Sequence, residues 1–251
     1  MPKLRLDTLL VERGLFTSRE QAHAAVLAGD VTVNGRPSSK PGVAVPVDAA
    51  INVMRRPRFV SRGGEKLDHA LNRFGIDVRG MVVADIGAST GGFTDCLLQR
   101  GAERVYAVDV GYGQIDYRLR MDVRVVLLER TNVRHLAGLP EPVALATIDV
   151  SFISLTKVLE PVRRLLQPQG DIVALIKPQF EARREEVGRG GVIRNRETHA
   201  RVIGRVADWA TRNGLRVRGL TASPILGGEG NTEFLIWLRD DTPEPHHRRT
   251  Q

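Results

Sequence analysis

Val82-Val83-Ala84-Asp85-Ile86-Gly87-Ala88-Ser89-Thr90-Gly91-Gly92-Phe93 is the stretch that decides the fold class. An apolar run enters a loop of small residues, and the loop opens onto a segment of helical spacing. In doubly wound α/β folds, ligands sit beyond the carboxyl ends of the strands, where such a loop lets the backbone approach closely. The next apolar run, Val105-Tyr106-Ala107-Val108, ends on Asp109, 22 residues after Gly87. That spacing suits a carboxylate accepting hydrogen bonds from ribose hydroxyls.

What the loop lacks narrows the ligand. The dinucleotide pattern G-x-G-x-x-G fails, because Ala88 and Ser89 follow Gly87, and no phosphate loop ending in Gly-Lys-Ser/Thr is present. Asp85 at the loop's entrance would repel a pyrophosphate and suits a cationic ligand. S-adenosylmethionine carries a sulfonium and an amino group for Asp85 and a ribose for Asp109. Gly87, Ala88, Ser89, Gly91, Gly92 and Phe93 are the expected loop contacts.

Outward from this loop, strands are expected over 82–86, 104–109, 124–127, 143–148, 171–176, 216–222 and 233–238. Helices are expected over 92–99, 155–166 and 197–212, with an amphipathic helix carrying Leu67, Ala70, Leu71 and Phe74 ahead of the first strand. Alternation of this kind marks an α/β sheet. A Rossmann-like, seven-stranded domain over residues 61–239 follows. Residues 240–251, with two prolines and no apolar residue, are expected to form a disordered tail.

The first 60 residues form a smaller α+β unit. Leu6, Leu9, Leu10 and Arg13 share a helical face that ends at Gly14. Ser18 opens a second helix, with Gln21 completing a capping box. Ala22, Ala25 and Val26 give that helix its apolar stripe, and Gly29 is its expected C-cap. Val31-Thr32-Val33 then alternates like a strand before the tight-turn pair Asn34-Gly35.

Composition limits the function classes. The chain has 251 residues, 42% apolar and 26% charged, with a net charge of +8, which favours a polyanionic partner. Residues 1–62 carry ten Lys/Arg against five Asp/Glu, so most of the excess lies in a quarter of the chain. Arg55, Arg56, Arg58 and Arg62 gather around Pro57 as a basic linker. Cys96 is the only cysteine, which excludes an internal disulfide and a cysteine-rich zinc site. The histidines show no ligand spacing, so no metal is expected. Apolar runs reach five residues where a membrane span needs about 20. No secretion signal is legible, and a soluble, cytoplasmic protein is expected.

Only five lysines stand against 32 arginines. A chain so biased meets generic needs for positive charge with arginine, so a retained lysine points to a need for an amine. Lysine can lose its proton in a suitable pocket and arginine cannot. Lys177 stands at the end of Ile172-Val173-Ala174-Leu175-Ile176, and Asp149 stands likewise after 143–148. Neighbouring parallel strands would bring both to the crevice of the glycine loop. Lys66 begins the helix before the first strand, and Glu233 opens the last strand.

The N-terminal residues Arg5-Leu6-Asp7, Ser18-Arg19, Ala22 and Gly29 through Gly35 resemble the alpha-L RNA-binding motif of a small-subunit ribosomal protein. That resemblance makes Arg5, Arg19, Arg36 and Lys40, with Arg55, Arg56 and Arg62 of the linker, the expected RNA contacts. The larger unit resembles FtsJ-like RNA ribose 2′-O-methyltransferases, and more closely the TlyA (haemolysin A) family. The matching pieces are Ser61–Leu67, Asp85–Phe93, Glu129–Arg134, Asp149–Ser154, Ile176–Glu181 and Gly230–Glu233.

By resemblance, Lys66, Asp149, Lys177 and Glu233 correspond to a catalytic Lys-Asp-Lys-Glu tetrad, and Asn132 falls where the cofactor's adenosine is contacted. The resemblance implies methyl transfer from S-adenosylmethionine to a ribose 2′-hydroxyl of RNA, with ribosomal RNA or ribosomal subunits as partner. Lys177 is then the expected proton acceptor. Asp149 and Lys66 would position hydroxyl and cofactor, and Glu233 would orient Lys177 or Lys66. One departure is the aliphatic, basic linker Met54-Arg55-Arg56-Pro57, where family members that methylate ribosomes carry an aromatic residue. Two other classes stay open: a non-catalytic RNA-binding protein, and a pore-forming haemolysin, which would need a membrane or lytic segment.

Overall fold

The computed structural model describes residues 2–16, 18–27, 29–38, 40–53, 58–188, 190–227 and 230–241. Contacts divide the chain into two units, Met1–Pro57 and Arg58–Gln251.

The first unit runs β1 (Lys3–Arg5), α1 (Leu6–Glu12), α2 (Arg19–Leu27), β2 (Val31–Val33), β3 (Arg36–Pro37), β4 (Ala44–Pro46) and β5 (Ile51–Val53). Leu6, Leu9 and Leu10 of α1 pack on Ala22, Ala25 and Val26 of α2, with Val31 and Val45 closing the core. The Gln21 N–H donates to Ser18 Oγ at 3.3 Å, one half of the expected capping box. Asn34 and Gly35 both take positive φ, +51° and +77°, as a two-residue hairpin turn requires. That turn sets Val33 opposite Arg36, and β2 also pairs antiparallel with β5.

The second unit begins with α3 (Gly63–Phe74), β6 (Val82–Ile86), α4 (Gly92–Gln99), β7 (Arg104–Val108), α5 (Tyr117–Arg120) and β8 (Val125–Leu128). It continues with β9 (Val143–Ile148), α6 (Leu159–Arg163), β10 (Leu166–Ile176), α7 (Pro178–Glu181), α8 (Arg196–Arg212), β11 (Leu215–Ala222) and β12 (Phe234–Asp240). One seven-stranded sheet has the order β11-β12-β10-β9-β6-β7-β8. β6 through β10 pair in parallel, while β12 is antiparallel to both neighbours.

Period-two alternation assigns the strand residues to two cores. Ala84, Ile86, Ala146, Ile148, Ile172 and Ala174 face α6 and α8, meeting Leu159, Val202 and Val206. Val83, Val105, Leu145, Val173 and Leu175 face α3 and α4, meeting Leu67, Leu71 and Leu97. Strands covered on both faces need continuous apolar runs, which is why 172–176 reads so clearly and 82–86 departs from the pattern only at Asp85. Each fully buried Leu, such as Leu71 or Leu97, contributes about 1.5–3 kcal/mol of transfer free energy.

The helix expected over 155–166 divides. A 3-10 turn spans Leu155–Lys157, α6 ends at Arg163, and β10 already starts at Leu166. Pro161 lacks the N–H that a helix interior needs and is tolerated only near a helix start. Leu166 pairs instead with Val143, ahead of a register shift that ends at Asp171. The short helices α5 and α7 have no counterpart in the sequence reading. Among the described residues, no helix is long and apolar enough to cross a membrane.

Sheet order fixes where a ligand belongs. From β6 the chain moves outward through β7 and β8, then returns to β9 on the other side of β6. The reversal opens a crevice beyond the carboxyl ends of β6 and β9.

Candidate active site

Three strand ends meet at this crevice. Gly87 follows β6, Asp149 follows β9 and Lys177 follows β10. Gly87 has φ +85°, and a Cβ there would lie 2.5 Å from the Asp149 carbonyl oxygen. Only glycine lets the two strand ends come this close. The Asp149 N–H donates to the Ile86 carbonyl at 2.9 Å, locking Asp149 to the end of β6.

A cleft of 580 Å³ opens there, lined by Gly87, Ser89, Asp109, Asn132, Asp149 and Phe152 among others. That volume falls within the roughly 300–1,000 Å³ typical of cofactor clefts. Asp109 Oδ2 accepts from the Ser89 N–H at 2.8 Å and Oδ1 from the Gly111 N–H at 2.6 Å. Each carboxylate oxygen has a second lone pair, so this carboxylate can still accept from a vicinal diol. Asn132 Oδ1 accepts the Arg134 N–H at 3.1 Å, capping the 3-10 turn Val133–His135 on the cleft wall. Ile86, Val108, Val133, Ile153 and Val158 supply the apolar lining that a nucleoside base requires.

An adjoining cavity of 160 Å³ is lined by Lys66, Ala88, Gly92, Phe93, Asp149 and Lys177. Gly87, Ser89, Asp149 and Ser151 line both spaces. The four tetrad residues form two ion pairs. Lys66 Nζ lies 2.5 Å from Glu233 Oε2, and Lys177 Nζ lies 2.6 Å from Asp149 Oδ1. Lys177 also donates to Ser151 Oγ at 2.9 Å. Of the two partners considered for Glu233, it takes Lys66. Glu233 itself sits behind Lys66, outside the lining of either space.

Two loop residues lie behind the cleft instead of on it. Asp85 is wholly buried and lines neither space; its oxygens accept from Thr94 Oγ1 at 2.7 Å and Thr147 Oγ1 at 3.3 Å. Burial, with the nearby Asp149 charge adding to it, pushes the Asp85 carboxyl up to about 7. The structure therefore gives Asp85 no direct approach to a cation, and it braces the loop through Thr94 of α4. Gly91 is likewise turned away from the cleft, toward Leu119 and Ile115.

Sequence reasoning missed Ser151 and Phe152. Phe152 is 90% exposed, holds φ +63°, and sets its ring 4.9 Å from that of Phe180 at the cleft. A bulky residue at positive φ is a backbone outlier. Its one sequence signal is an aromatic residue between serines just past a strand end.

In the first unit Arg5, Arg19, Arg36 and Lys40 are all exposed. Arg5 and Arg19 converge on buried Asp7, at 2.7 and 3.2 Å. Hydrogen bonding from Arg5, then from Arg19, pulls the Asp7 carboxyl down to about 2. Arg62, in the second unit, donates to the Leu226 carbonyl. Arg55 and Arg56 lie outside the described residues.

Residues 59–240 match the FtsJ-like methyltransferase family, and residues 4–51 match the S4 domain. The chain is 46% identical to the 16S/23S rRNA (cytidine-2'-O)-methyltransferase TlyA of Mycobacterium tuberculosis, over 96% of this chain and 91% of that protein. It is 50% identical to YqxC of Bacillus subtilis, named as a candidate rRNA methyltransferase, over 94% and 85% of the two chains. A solved structure of a candidate hemolysin from Streptococcus thermophilus superposes with a TM-score of 0.73 at 45% identity, over 97% of this chain and 90% of that one. The chain belongs to the FtsJ-like methyltransferase family, and an S4 domain precedes its methyltransferase unit.

Proposed function

We propose that this protein transfers a methyl group from S-adenosylmethionine to a ribose 2′-hydroxyl of RNA, with ribosomal RNA in a ribosomal subunit as substrate. The observation that carries this reading is the Lys177–Asp149 pair, 2.6 Å apart, in one cavity with Lys66 and beside a nucleoside-sized cleft. The relatives named above as rRNA methyltransferases support the substrate class.

The cleft fits the cofactor. Asp109 would accept from its ribose diol, Asn132 would meet the adenosine, and Gly87, Ala88, Ser89, Gly92 and Phe93 would border the amino-acid end. Asp85 and Gly91 would support the loop from behind. When bound, the cofactor supplies an electrophilic methyl group on sulfonium.

The remaining chemistry is positional. Lys177 is held by Asp149 and Ser151, and its amine, in its neutral form, would take the proton that the ribose hydroxyl gives up as its oxygen bonds the methyl and the methyl–sulfur bond breaks. Lys66, fixed by Glu233, would hold that hydroxyl or the phosphate beside it. In-line attack on a methyl group depends on placement, and placement can supply most of the rate. Phe152 offers an exposed aromatic face on which an unstacked target base would lie.

Arg5, Arg19, Arg36 and Lys40 would grip RNA phosphates from the first unit, joined by Arg55 and Arg56 of the linker and by Arg62 at the start of the second unit. Residues 1–60 are proposed as the RNA-binding unit, 61–239 as the methyltransferase and 240–251 as a tail. A ribosomal substrate would be met in the cytoplasm, which is the proposed location.

The test incubates the protein with S-adenosylmethionine and unmethylated ribosomal subunits, then maps 2′-O-methyl groups. A Lys177→Ala variant should keep cofactor affinity and lose transfer. Loss of cofactor binding in that variant would refute the base assignment. Cofactor binding with no transfer to any ribosomal RNA would favour the non-catalytic RNA-binding reading.

A further inference from the structure

The strand-end loops that present Asp149 and Lys177 diverge after their strands, and something must hold them together. The ion pair alone is a poor candidate. Asp149 Oδ1 is buried and close to the Lys177 amine but lacks the geometry of a hydrogen bond to it, so the contact sets a distance and no direction. The structure contains a second link, deeper and uncharged on one side. Glu181 ends α7, four residues after Lys177, and is only 6% exposed. Its Oε2 accepts from Ser154 Oγ and its Oε1 from the Leu155 N–H, each at 2.6 Å.

Ser154 and Leu155 lie five and six residues after Asp149. The segments Asp149–Leu155 and Lys177–Glu181 therefore close a ring, with the ion pair at the strand ends and the Glu181 contacts at the far side. Phe152 and Phe180 touch across its middle, their rings 4.9 Å apart. Phe152 is held at φ +63°, a conformation that persists only when its surroundings over-determine it.

Resting on the function proposed above and deepening it, we propose that Glu181 is a positioning residue. Its carboxylate clasps the Asp149 loop to the Lys177 loop and so fixes the catalytic amine and the Phe152 platform in register. A buried carboxylate facing neutral donors is otherwise a cost with no return. Burial pushes the Glu181 carboxyl above its ordinary range, and the neighbouring cation Arg205 bonds its backbone carbonyl instead. Apolar packing would join two loops without that cost. A carboxylate joins them with geometry, because two short hydrogen bonds fix both distance and direction.

The test compares wild type with Glu181→Ala and Glu181→Gln. It measures S-adenosylmethionine affinity, turnover on ribosomal subunits, and the 13Cε NMR signal of Lys177. The small number of lysines makes that signal assignable, with Lys177→Arg as the reference. Glu181→Ala should lower kcat at least tenfold, leave cofactor Kd within twofold, and shift the Lys177 signal. Glu181→Gln should return kcat to within threefold of wild type, because its amide oxygen still accepts from Leu155 and its NH2 donates to Ser154 Oγ.

The proposal is overturned if Glu181→Ala keeps kcat within threefold or leaves the Lys177 signal in place. It is equally overturned if the Gln variant is no better, or if cofactor binding falls in step with kcat. Should Glu181→Ala not fold, Ser154→Ala removes one arm of the clasp together with the cap on the Thr156 N–H, and Ser154→Asn, which can keep the cap, is its control. A three- to tenfold fall in kcat then supports the clasp, and wild-type turnover overturns it. If the wild-type protein transfers no methyl group, the function proposal fails, and the Lys177 signal still decides whether Glu181 positions the amine.

Discussion

Lys66 Nζ and Glu233 Oε2 meet at 2.5 Å across 167 positions of sequence, with the two residues only 7% and 3% exposed. Gly227 backs this contact: a Cβ there would lie 2.4 Å from Glu233 Oε1, so any side chain at 227 would push the carboxylate from its place. A charge held in such a place depends on its partner. Removing one member of a buried pair costs about 3–5 kcal/mol, whereas replacing both with apolar residues of similar volume is often close to neutral. Lys66→Met and Glu233→Leu should each destabilise the protein by about that amount, and the double variant should recover more than half of it while remaining inactive. Urea unfolding with turnover assays checks this. If the double variant is as unstable as the two single effects added, the pair is not the unit described.

Phe152 should matter to RNA and not to the fold. Its ring is 90% exposed and its backbone is strained, so Phe152→Ala should leave the unfolding midpoint unchanged or slightly raised. Base–aromatic stacking contributes about 1–3 kcal/mol per base, so transfer at subsaturating RNA should fall roughly 5- to 150-fold. Cofactor affinity should stay within twofold. An unchanged rate on ribosomal subunits would remove Phe152 from the substrate path.

The fold was legible because both faces of its central strands are covered. Ile172–Ile176 is apolar throughout and Val82–Ile86 is apolar but for Asp85, and the loop after each strand had to break that pattern. Asp109 was legible for the same reason, as the first charge after a buried strand. The pairing of Lys66 with Glu233 was not, because sequence places the two residues at opposite ends of the unit and only the antiparallel last strand brings them together. Asp85 misled because charge near a glycine loop reads as ligand-facing. Strand alternation turns it inward, toward Thr94 and Thr147. Phe152 escaped because exposure and positive φ at a strand end leave no periodic trace.

Asp7 should make the first unit acid-sensitive. Its folded carboxyl lies at about 2, below the roughly 3.9 of an unfolded chain. A lowered value adds stability above the unfolded value, and that stability disappears as pH falls from about 4 to about 2. Allowing for half-exposed Arg5 and Arg19, about 1–2 kcal/mol is at stake. Asp7→Asn should lose that amount at pH 7 and only a small part of it at pH 2. It should also weaken RNA binding, since Asp7 aligns two of the proposed phosphate contacts, and it should flatten the salt dependence set by those arginines. Equal destabilisation at both pH values would trace the effect to packing instead of charge.

Asp85 has the opposite sign. Its folded carboxyl lies at about 7, above its unfolded value, so the folded state holds the proton more tightly. Stability is then greatest below about pH 4, falls as pH rises to about 7, and stays reduced above that. Asparagine fits the same place. Thr94 can still donate to its oxygen, and Thr147 can accept from its NH2 while donating to the Ala84 carbonyl, which lies 3.3 Å away. Asp85→Asn should therefore raise the unfolding free energy, by more at pH 8 than at pH 5, with a gain of a few kcal/mol (on the order of 1.4 per pKa unit) at the upper end. Because Asp85 lines neither the cleft nor the smaller cavity, cofactor affinity should change less than threefold. Loss of more than tenfold in affinity with the fold intact would mean that the Asp85 charge acts on the cofactor through the loop. The carboxylate would then be retained for binding, at a stability cost that Asn would have avoided.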